Sequence, residues 1–158
     1  MMGLPLDDLV IGTVIELGSY SFTRENVLAF ARQYDPQPFH LDDDAAARGP
    51  FGKLAASGWH TAAGWMKCYI ATSQAAEAAR RTAGLQVWST LPSPGFENLK
   101  WLKPVYPGDT VNYRSKITAK RDLATRPGVG LLFSFNEGIN QQGDLVFSFD
   151  GKVLAPKR

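Results

Sequence analysis

An aspartate and a histidine five positions apart are the residues of this sequence best suited to proton transfer. They bound a segment with two prolines among six residues, Asp35-Pro36-Gln37-Pro38-Phe39-His40. A carboxylate and an imidazole can hold one water molecule, so that one group removes its proton and the other delivers a proton to a substrate. Because proline fixes φ, we predict that the two catalytic candidates, Asp35 and His40, lie on a stiff loop. The alternative is that Asp35 caps a turn and His40 bonds a backbone carbonyl.

A serine and a glycine, Ser57 and Gly58, open the longest predicted helix. Backbone N–H groups at the start of a helix have no partner within the helix. Gly58 has no side chain, so an enolate or carbonyl oxygen could approach its N–H closely, as oxyanion stabilisation requires. We therefore predict that Ser57 and Gly58 bind substrate, although a glycine at a helix start also has purely conformational explanations.

The remaining chemistry-bearing residues are few, since the chain has two histidines and one cysteine. A single cysteine, Cys68, allows no internal disulfide and no cysteine-rich zinc site. Two histidines cannot build a three-histidine metal site, so we expect no metal. His60 lies in the first turn of the long helix, and we expect it to pack against neighbours or face solvent.

Composition limits the class of protein. With 158 residues, 44% of them hydrophobic and 20% charged, the chain fits one soluble domain over residues 1–158. A net charge of +2 gives no basic stripe for nucleic acid. The start, Met1 to Asp8, lacks the pattern of a secretory signal, and no run of about 20 apolar residues predicts a membrane span. We therefore expect no nucleic-acid or membrane partner and a cytoplasmic location.

Helical patterns fill the first half of the chain. Residues 9–22 read as a strand with a bend, and Thr23 is the predicted cap of a helix that Pro36 ends. A short surface helix follows the three aspartates at 42–44. The long helix is predicted from Ser57 to about Ala79. Its apolar stripe is expected to face a sheet and comprises Trp59, Ala62, Ala63, Met66, Ile70 and Ser73.

The second half of the chain, from about Leu85 onwards, is predicted as β-structure. Period-two alternation marks residues 110–120, 131–136 and 145–150, with turns at 107–109 and 141–144. Helices and strands are segregated rather than alternating, which predicts an α+β class in which one long helix covers a curved antiparallel sheet.

Three segments resemble the MaoC-like dehydratase family, which includes the R-specific enoyl-CoA hydratases. They occur in the family's order and span nearly the whole chain: Tyr34-Asp35-Pro36-Gln37-Pro38-Phe39-His40; Phe51-Gly52-Lys53-Leu54-Ala55-Ala56-Ser57-Gly58-Trp59-His60-Thr61; and Asn98-Leu99-Lys100-Trp101-Leu102-Lys103-Pro104-Val105-Tyr106-Pro107-Gly108-Asp109-Thr110. The sequence departs from the family at Tyr34 and Gln37, where a glycine and an asparagine are usual, and at Trp59-His60, which are bulkier than the usual residues.

The resemblance implies a single hotdog fold, in which a curved antiparallel sheet wraps one long central helix. It implies reversible syn hydration of a trans-2-enoyl-CoA, with Asp35 as the base toward water and His40 delivering a proton to the α-carbon. The N–H of Gly58 would polarise the thioester carbonyl. No metal or redox cofactor is implied, because coenzyme A belongs to the substrate. Pairing of two hotdog units in the family implies a homodimer or a higher homo-oligomer.

Two other functions remain open for the sequence. One is thioester hydrolysis on the same fold, which generally needs a carboxylate on the long helix, where this chain offers only Glu77. The other is a non-catalytic acyl-CoA-binding module or a partner subunit of a heteromeric dehydratase. Basic residues that could meet the CoA phosphates are Arg48, Lys53 and Arg114.

Overall fold

The structure, a computed structural model, describes residues 2–158, so Met1 of the predicted domain lies outside the described residues. A short 3-10 helix, Leu6–Asp8, precedes the main elements. The helices are α1 (Arg24–Tyr34), α2 (Pro38–Leu41), α3 (Asp43–Ala47) and α4 (Gly58–Thr82). The strands are β1 (Val14–Ser21), β2 (Gly95–Trp101), β3 (Thr110–Asp122), β4 (Val129–Asn140) and β5 (Leu145–Pro156).

The first helix begins and ends where the sequence predicts. The Thr23 hydroxyl caps α1 by accepting the N–H of Asn26 at 3.2 Å. The helix ends at Tyr34, because the residue before Pro36 avoids helical backbone angles. The carboxylate of Asp35 is therefore placed at the C-terminal end of α1.

The segment after α1 differs from the predicted loop, because its second half is helical. Pro38 occupies the first position of α2, so His40 lies on one helical turn. Proline is favoured there because its φ suits a helix start and its missing N–H has no helical role. The predicted aspartate cap is confirmed at Asp42, whose side chain accepts the N–H of Ala45 at 2.8 Å to begin α3.

All five strands form one antiparallel sheet in the order β1-β3-β4-β5-β2, with β1 and β2 at its edges. The predicted hairpin closes between Asn140 and Leu145. The bend predicted in the first strand is a bulge beside Gly18, whose φ of 91° favours glycine. The prediction of β-structure from Leu85 is wrong for residues 85–94, which reach β2 as irregular chain.

Helix α4 contacts strands across the whole width of the sheet. The Thr72 hydroxyl donates to the carbonyl of Leu17 in β1 at 3.0 Å. The Tyr113 hydroxyl of β3 donates to the carbonyl of Thr61 at 2.8 Å. Farther across the sheet, the Trp65 ring packs edge-on against an aromatic ring of β5. One sheet therefore wraps one long helix, and the predicted α+β arrangement is confirmed.

The predicted stripe of α4 is not the most buried face of the helix. Trp59, Met66 and Ile70 are 53%, 50% and 44% exposed. The buried face consists of His60, Thr61, Gly64 and Cys68. Small side chains face the sheet because it approaches closely: a Cβ on Gly64 would lie 2.9 Å from the Tyr113 hydroxyl. The large apolar side chains lie beside this face, where Trp59 and Met66 border an open cavity between α4 and the sheet and Ile70 is exposed.

None of the helices within residues 2–158 has the length and apolar character needed to cross a bilayer.

Candidate active site

The aspartate and histidine singled out from the sequence meet in space. Asp35 follows α1 and His40 lies on α2, and the turn between them brings Oδ2 of Asp35 to 3.4 Å from Nε2 of His40. Their side chains are 17% and 6% exposed, so both members of the pair are largely buried. A carboxylate and an imidazole at this separation can share a proton or hold one water molecule.

The second ring nitrogen of His40 fixes the direction of the imidazole. Nδ1 lies 2.7 Å from the carbonyl oxygen of Ala55. A carbonyl only accepts, so Nδ1 carries a hydrogen and donates, and Nε2 is the nitrogen that faces Asp35. Phe39 packs edge-on against the ring at a centroid distance of 4.6 Å. The imidazole is therefore held in one orientation and one tautomer when neutral.

The carboxylate of Asp35 is held by two donors as well as by the histidine. Gln37 Nε2 donates to Oδ1 at 2.8 Å, and Ser57 Oγ donates to Oδ2 at 2.6 Å. Burial by itself raises the pKa of Asp35, but these two hydrogen bonds and the charge of His40 outweigh it, so its pKa is lowered. Asp35 is consequently an ionised carboxylate at neutral pH. One of its hydrogen bonds comes from Gln37, which stands where the family usually has asparagine.

Ser57 connects this pair to the long helix. It is the N-cap of α4: its Oγ accepts the N–H of Trp59 at 3.2 Å while donating to Asp35. The Ser57 hydroxyl therefore makes one hydrogen bond as a donor and one as an acceptor, both to groups of the protein. The sequence predicts that Ser57 binds substrate, whereas the structure directs its hydroxyl to the carboxylate.

Gly58, the first residue of α4, keeps a backbone donor free. Its N–H has no acceptor within residues 2–158. Its carbonyl accepts from Nε1 of Trp101 at 2.8 Å. The indole lies so close that a Cβ on Gly58 would approach it to 2.6 Å, which explains the glycine. An unpaired N–H at a helix start next to Ser57 suits the carbonyl oxygen of a thioester.

His60 belongs to a separate aromatic cluster. Its Nε2 lies 3.2 Å from the Tyr20 hydroxyl, and its ring stacks on Phe30 at a centroid distance of 4.6 Å. The side chain is buried, and burial lowers the pKa of His60 to about 4. The neutral ring therefore packs inside the fold, which agrees with the packing expectation.

An apolar cavity of about 210 Å³ lies between α4 and the sheet. Its α4 wall runs from Trp59 past Met66 to Tyr69, and neither the Asp35–His40 pair nor Gly58 is part of its lining. No local pattern marks this cavity, because its walls come from α4 and three strands that are far apart in the chain. The predicted apolar stripe of α4 was a partial signal, since Trp59, Ala62 and Met66 of that stripe line the cavity.

Two of the basic candidates already have partners in the chain. Arg114 pairs with Glu137 across β3 and β4. Lys53 places its ammonium 4.0 Å from the ring centroid of Tyr106, and Arg48 is exposed after α3. The assignment of these three residues to the CoA phosphates stays a prediction.

Comparison with known proteins gives consistent matches. The profile of the family described as "MaoC like domain" matches residues 9–130. The crystal structure of a MaoC-like dehydratase from Rhodospirillum rubrum is 33% identical, has a TM-score of 0.83 and aligns over 99% of both chains. The unliganded R-hydratase PhaJ1 from Pseudomonas aeruginosa shares the fold at 21% identity and a TM-score of 0.65, covering 99% of this chain and 88% of that one.

A larger protein shares the fold as one of its parts. Rv0216 from Mycobacterium tuberculosis, described as having a double hotdog fold, is 20% identical with a TM-score of 0.67. The match covers 99% of this chain and 45% of Rv0216. The present fold is therefore a single hotdog unit, as the resemblance implied.

Two curated proteins are also similar in sequence. The uncharacterized protein YdeM from Bacillus subtilis is 26% identical over 151 residues, which are 96% of this chain and 98% of YdeM. A mesaconyl-CoA hydratase from Cereibacter sphaeroides is 34% identical over 64 residues, which are 40% of this chain and 18% of that protein.

Proposed function

Because the chain belongs to the MaoC-like domain family, we propose that it is a hydratase that reversibly adds water to a trans-2-enoyl-CoA and forms the (R)-3-hydroxyacyl-CoA. The observation that carries the proposal is the contact between Asp35 and His40, whose side-chain atoms lie 3.4 Å apart. The Ser57 hydroxyl donates to Asp35, and the next residue, Gly58, has a free backbone N–H. A proton acceptor, a proton donor and an oxyanion donor are the three groups that this addition requires.

Substrate binding follows from the order of groups along α4. The thioester carbonyl oxygen accepts from the N–H of Gly58, which polarises the enoyl system and stabilises the enolate as negative charge develops. The α- and β-carbons then lie beside Asp35 and His40, because Ser57, the residue before Gly58, is hydrogen-bonded to the Asp35 carboxylate.

The proton transfers balance within the pair. The carboxylate of Asp35 takes a proton from water as the water oxygen bonds to the β-carbon, while the imidazolium of His40 gives its Nε2 proton to the α-carbon. The proton on Asp35 then passes to Nε2, 3.4 Å away, and restores the starting state. Both new bonds form on the face of the alkene that meets the pair, which makes the addition syn.

The proposed reaction needs no metal or redox cofactor. Addition of water to an alkene leaves the total oxidation state of the substrate unchanged, and coenzyme A enters as part of that substrate. The electrophilic assistance that a metal would give is assigned to the backbone N–H of Gly58.

We also propose that two copies of the chain assemble as a homodimer. Trp59 and Met66 of α4 and Phe96 and Trp101 of the neighbouring edge strand β2 are between 46% and 53% exposed, and all but Trp101 border the apolar cavity. An apolar patch beside an unpaired strand edge is suited to a second copy of the same surface. A double hotdog chain that this domain covers to 45% supports pairing of two such units.

The test is hydration of crotonyl-CoA and longer enoyl-CoAs by the pure protein, followed as loss of the enoyl thioester absorbance. Asp35→Asn and His40→Ala should each lower the rate by about 10²-fold or more. His60→Gln is the matched control, because it removes the other imidazole but no group of the pair. Full activity in both pair variants, or no turnover of any enoyl thioester, contradicts the assignment.

The same experiment separates the other two functions. Hydrolysis releases free CoA thiol, whereas hydration does not. Glu77, the carboxylate that α4 offers, pairs with Arg81 and lies 19 residues or roughly 28 Å along the helix from Gly58. Sedimentation velocity addresses a partner-subunit role: an active homodimer contradicts it, and an inert monomer supports it.

A further inference from the structure

The first turn of α4 contacts a tryptophan at the edge of the sheet, Trp101, which is the last residue of β2. Nε1 of its indole donates to the carbonyl oxygen of Gly58 at 2.8 Å. A Cβ on Gly58 would lie 2.6–2.7 Å from atoms of the same ring, so the indole covers this side of the Gly58 Cα. Trp101 therefore restrains the residue whose backbone N–H is free.

Gly58 needs such a restraint because of its residue type. Glycine has more backbone freedom than any other residue, so an N–H on glycine is well oriented only where the neighbouring groups fix its peptide units. Before Gly58, the Ser57 hydroxyl fixes the turn by accepting the N–H of Trp59 at 3.2 Å. After it, the indole of Trp101 fixes the Gly58 carbonyl. The free N–H lies between these two hydrogen bonds.

The hydrogen bond from Trp101 is not needed to satisfy a buried group. Trp101 is 46% exposed, and the Gly58 carbonyl lies four residues before Ala62, whose N–H is its partner in the helical pattern. The indole adds a second donor to that carbonyl, whose two lone pairs allow it. The same contact leaves no room for any side chain at position 58. A requirement to hold Gly58 in one orientation accounts for both features.

A second tryptophan supports the ring of Trp101. Trp59 packs edge-on against it at a centroid distance of 5.1 Å. The N–H of Trp59 donates to the hydroxyl of Ser57, which in turn donates to Oδ2 of Asp35. One continuous set of contacts therefore joins the indole of Trp101, the start of α4 and the carboxylate of the proton-transfer pair.

The indole also borders the position where a carbonyl oxygen would bind. Standard bond lengths place a Cβ roughly 2.5 Å from the nitrogen of its own residue, so the indole comes within roughly 5 Å of the Gly58 nitrogen. An oxygen that accepts from that nitrogen lies about 2.9 Å from it. A change in the ring is therefore felt directly at the oxyanion position.

We propose that Trp101 is a positioning residue for the oxyanion donor: its indole holds the first turn of α4 so that the Gly58 N–H points at the thioester carbonyl oxygen. This inference rests on the proposed function, which places the thioester at Gly58. Because the negative charge on that oxygen is greatest in the enolate, a well-aimed donor stabilises the transition state more than the bound substrate. The role of Trp101 should therefore appear in kcat rather than in KM.

The first experiment measures kcat and KM for crotonyl-CoA in Trp101→Phe, which keeps an aromatic ring but lacks the N–H. Complete removal of an oxyanion donor costs about 10²–10³ in kcat, and a donor that remains but points less accurately should cost less. We expect kcat to fall about tenfold while KM stays within a factor of about two. Trp88→Phe is the matched control, because Trp88 lines a separate small cavity beside Gly3 and Leu4 and should keep the wild-type kcat.

The second experiment observes the carbonyl itself and needs no turnover. Butanoyl-CoA has no double bond to hydrate, and with an isotopic label at its carbonyl carbon its carbonyl stretch can be followed by infrared difference spectroscopy. Polarisation by the Gly58 N–H should lower this frequency in the wild type, and Trp101→Phe should show about half of that downshift or less. A merely structural role would lower the urea unfolding midpoint without changing the band of the bound ligand.

Trp101 also belongs to the surface proposed for the homodimer, so a second variant preserves its shape. Benzothienylalanine in place of Trp101 exchanges the indole N–H for sulfur and keeps both fused rings. It should reproduce the fall in kcat and the smaller downshift. It carries the test if Trp101→Phe does not fold or assemble as the wild type does, which circular dichroism and sedimentation velocity check.

The outcomes separate this inference from the proposed function. A wild-type kcat and an unchanged carbonyl band in the benzothienylalanine variant overturn the role of Trp101, while hydration of crotonyl-CoA by the wild type leaves the proposed function intact. A rise in KM alone also contradicts the inference, because it indicates contact with the substrate rather than orientation of the donor. A downshift that depends on the Trp101 N–H, without hydration of any enoyl thioester, supports the role of Trp101 and contradicts the proposed function alone.

Discussion

Replacement of Ser57 by alanine tests how the start of α4 controls the proton-transfer pair. The serine hydroxyl donates to Oδ2 of Asp35 at 2.6 Å and accepts the N–H of Trp59 at 3.2 Å. A hydrogen bond to a charged group contributes about 1.5–3 kcal/mol, which corresponds to roughly 10- to 150-fold in rate if it is needed to orient the carboxylate. We therefore expect Ser57→Ala to lower kcat/KM by about 10- to 100-fold.

The pH profile gives this prediction a second readout. The Ser57 hydrogen bond is one cause of the lowered pKa of Asp35, so its removal raises that pKa. Because the ionised carboxylate is the active form, the acidic limb of kcat/KM should move to higher pH in Ser57→Ala. A merely structural role for the serine would lower activity at every pH without moving the limb.

Two further variants complete the test. Ser57→Thr retains a hydroxyl at the cap and should recover most of the rate. Gln37→Leu removes the other donor, which binds Oδ1 at 2.8 Å, and should move the acidic limb in the same direction. Loss of the cap should also lower the free energy of unfolding by about 1 kcal/mol, measured with urea. Wild-type activity and an unmoved limb in Ser57→Ala would refute the assigned positioning role.

Three other predictions concern stability and packing. Burial lowers the pKa of His60 from 6.5 to about 4, so the unfolded chain binds a proton at this residue more readily than the folded chain does. The free energy of unfolding should therefore fall by up to about 3 kcal/mol as the pH falls from 6.5 to 4. Urea unfolding at several pH values should show this dependence in the wild type and its loss in His60→Phe. Gly58→Ala should lower both stability and activity, because its Cβ would lie 2.6 Å from the ring of Trp101; an unchanged unfolding midpoint contradicts this close contact. Gly151→Ala should lower the free energy of unfolding, because its Cβ would lie 2.8 Å from Nδ2 of the buried Asn136; an unchanged unfolding midpoint counts against that contact.

Local sequence signals predicted α1, which ends just before Asp35, but not α2, the single helical turn that carries His40 and was predicted as a loop. Thr23 and Pro36 determine where α1 begins and ends, and Asp42 caps α3 as expected. These signals act within a few residues, so they can be read without knowledge of the tertiary fold. The short distance between Asp35 and His40 in the chain likewise made their proximity in space predictable.

The burial of α4 could not be predicted in the same way. A helical stripe that includes Trp59 and Met66 is the most apolar one in the sequence, yet the sheet selects the face with Gly64 and Cys68. The reason is distance rather than hydropathy, because Tyr113 occupies the space beside Gly64. Period and composition show that a helix has two faces but not which of them meets a closely wrapped sheet.

Strand β4 shows the same limit. Its alternation is clear in the sequence, with aromatic residues at 133 and 135 and polar residues at 134 and 136. Hydropathy alone would turn Phe135 inward, but the structure turns Ser134 and Asn136 toward the cavity beside α4 and pairs Phe135 with Asp150 across the strands. The amide nitrogen of Asn136 donates to the Ser134 hydroxyl at 3.0 Å, so the inward polar side chains are held by a hydrogen bond within β4 that hydropathy does not register.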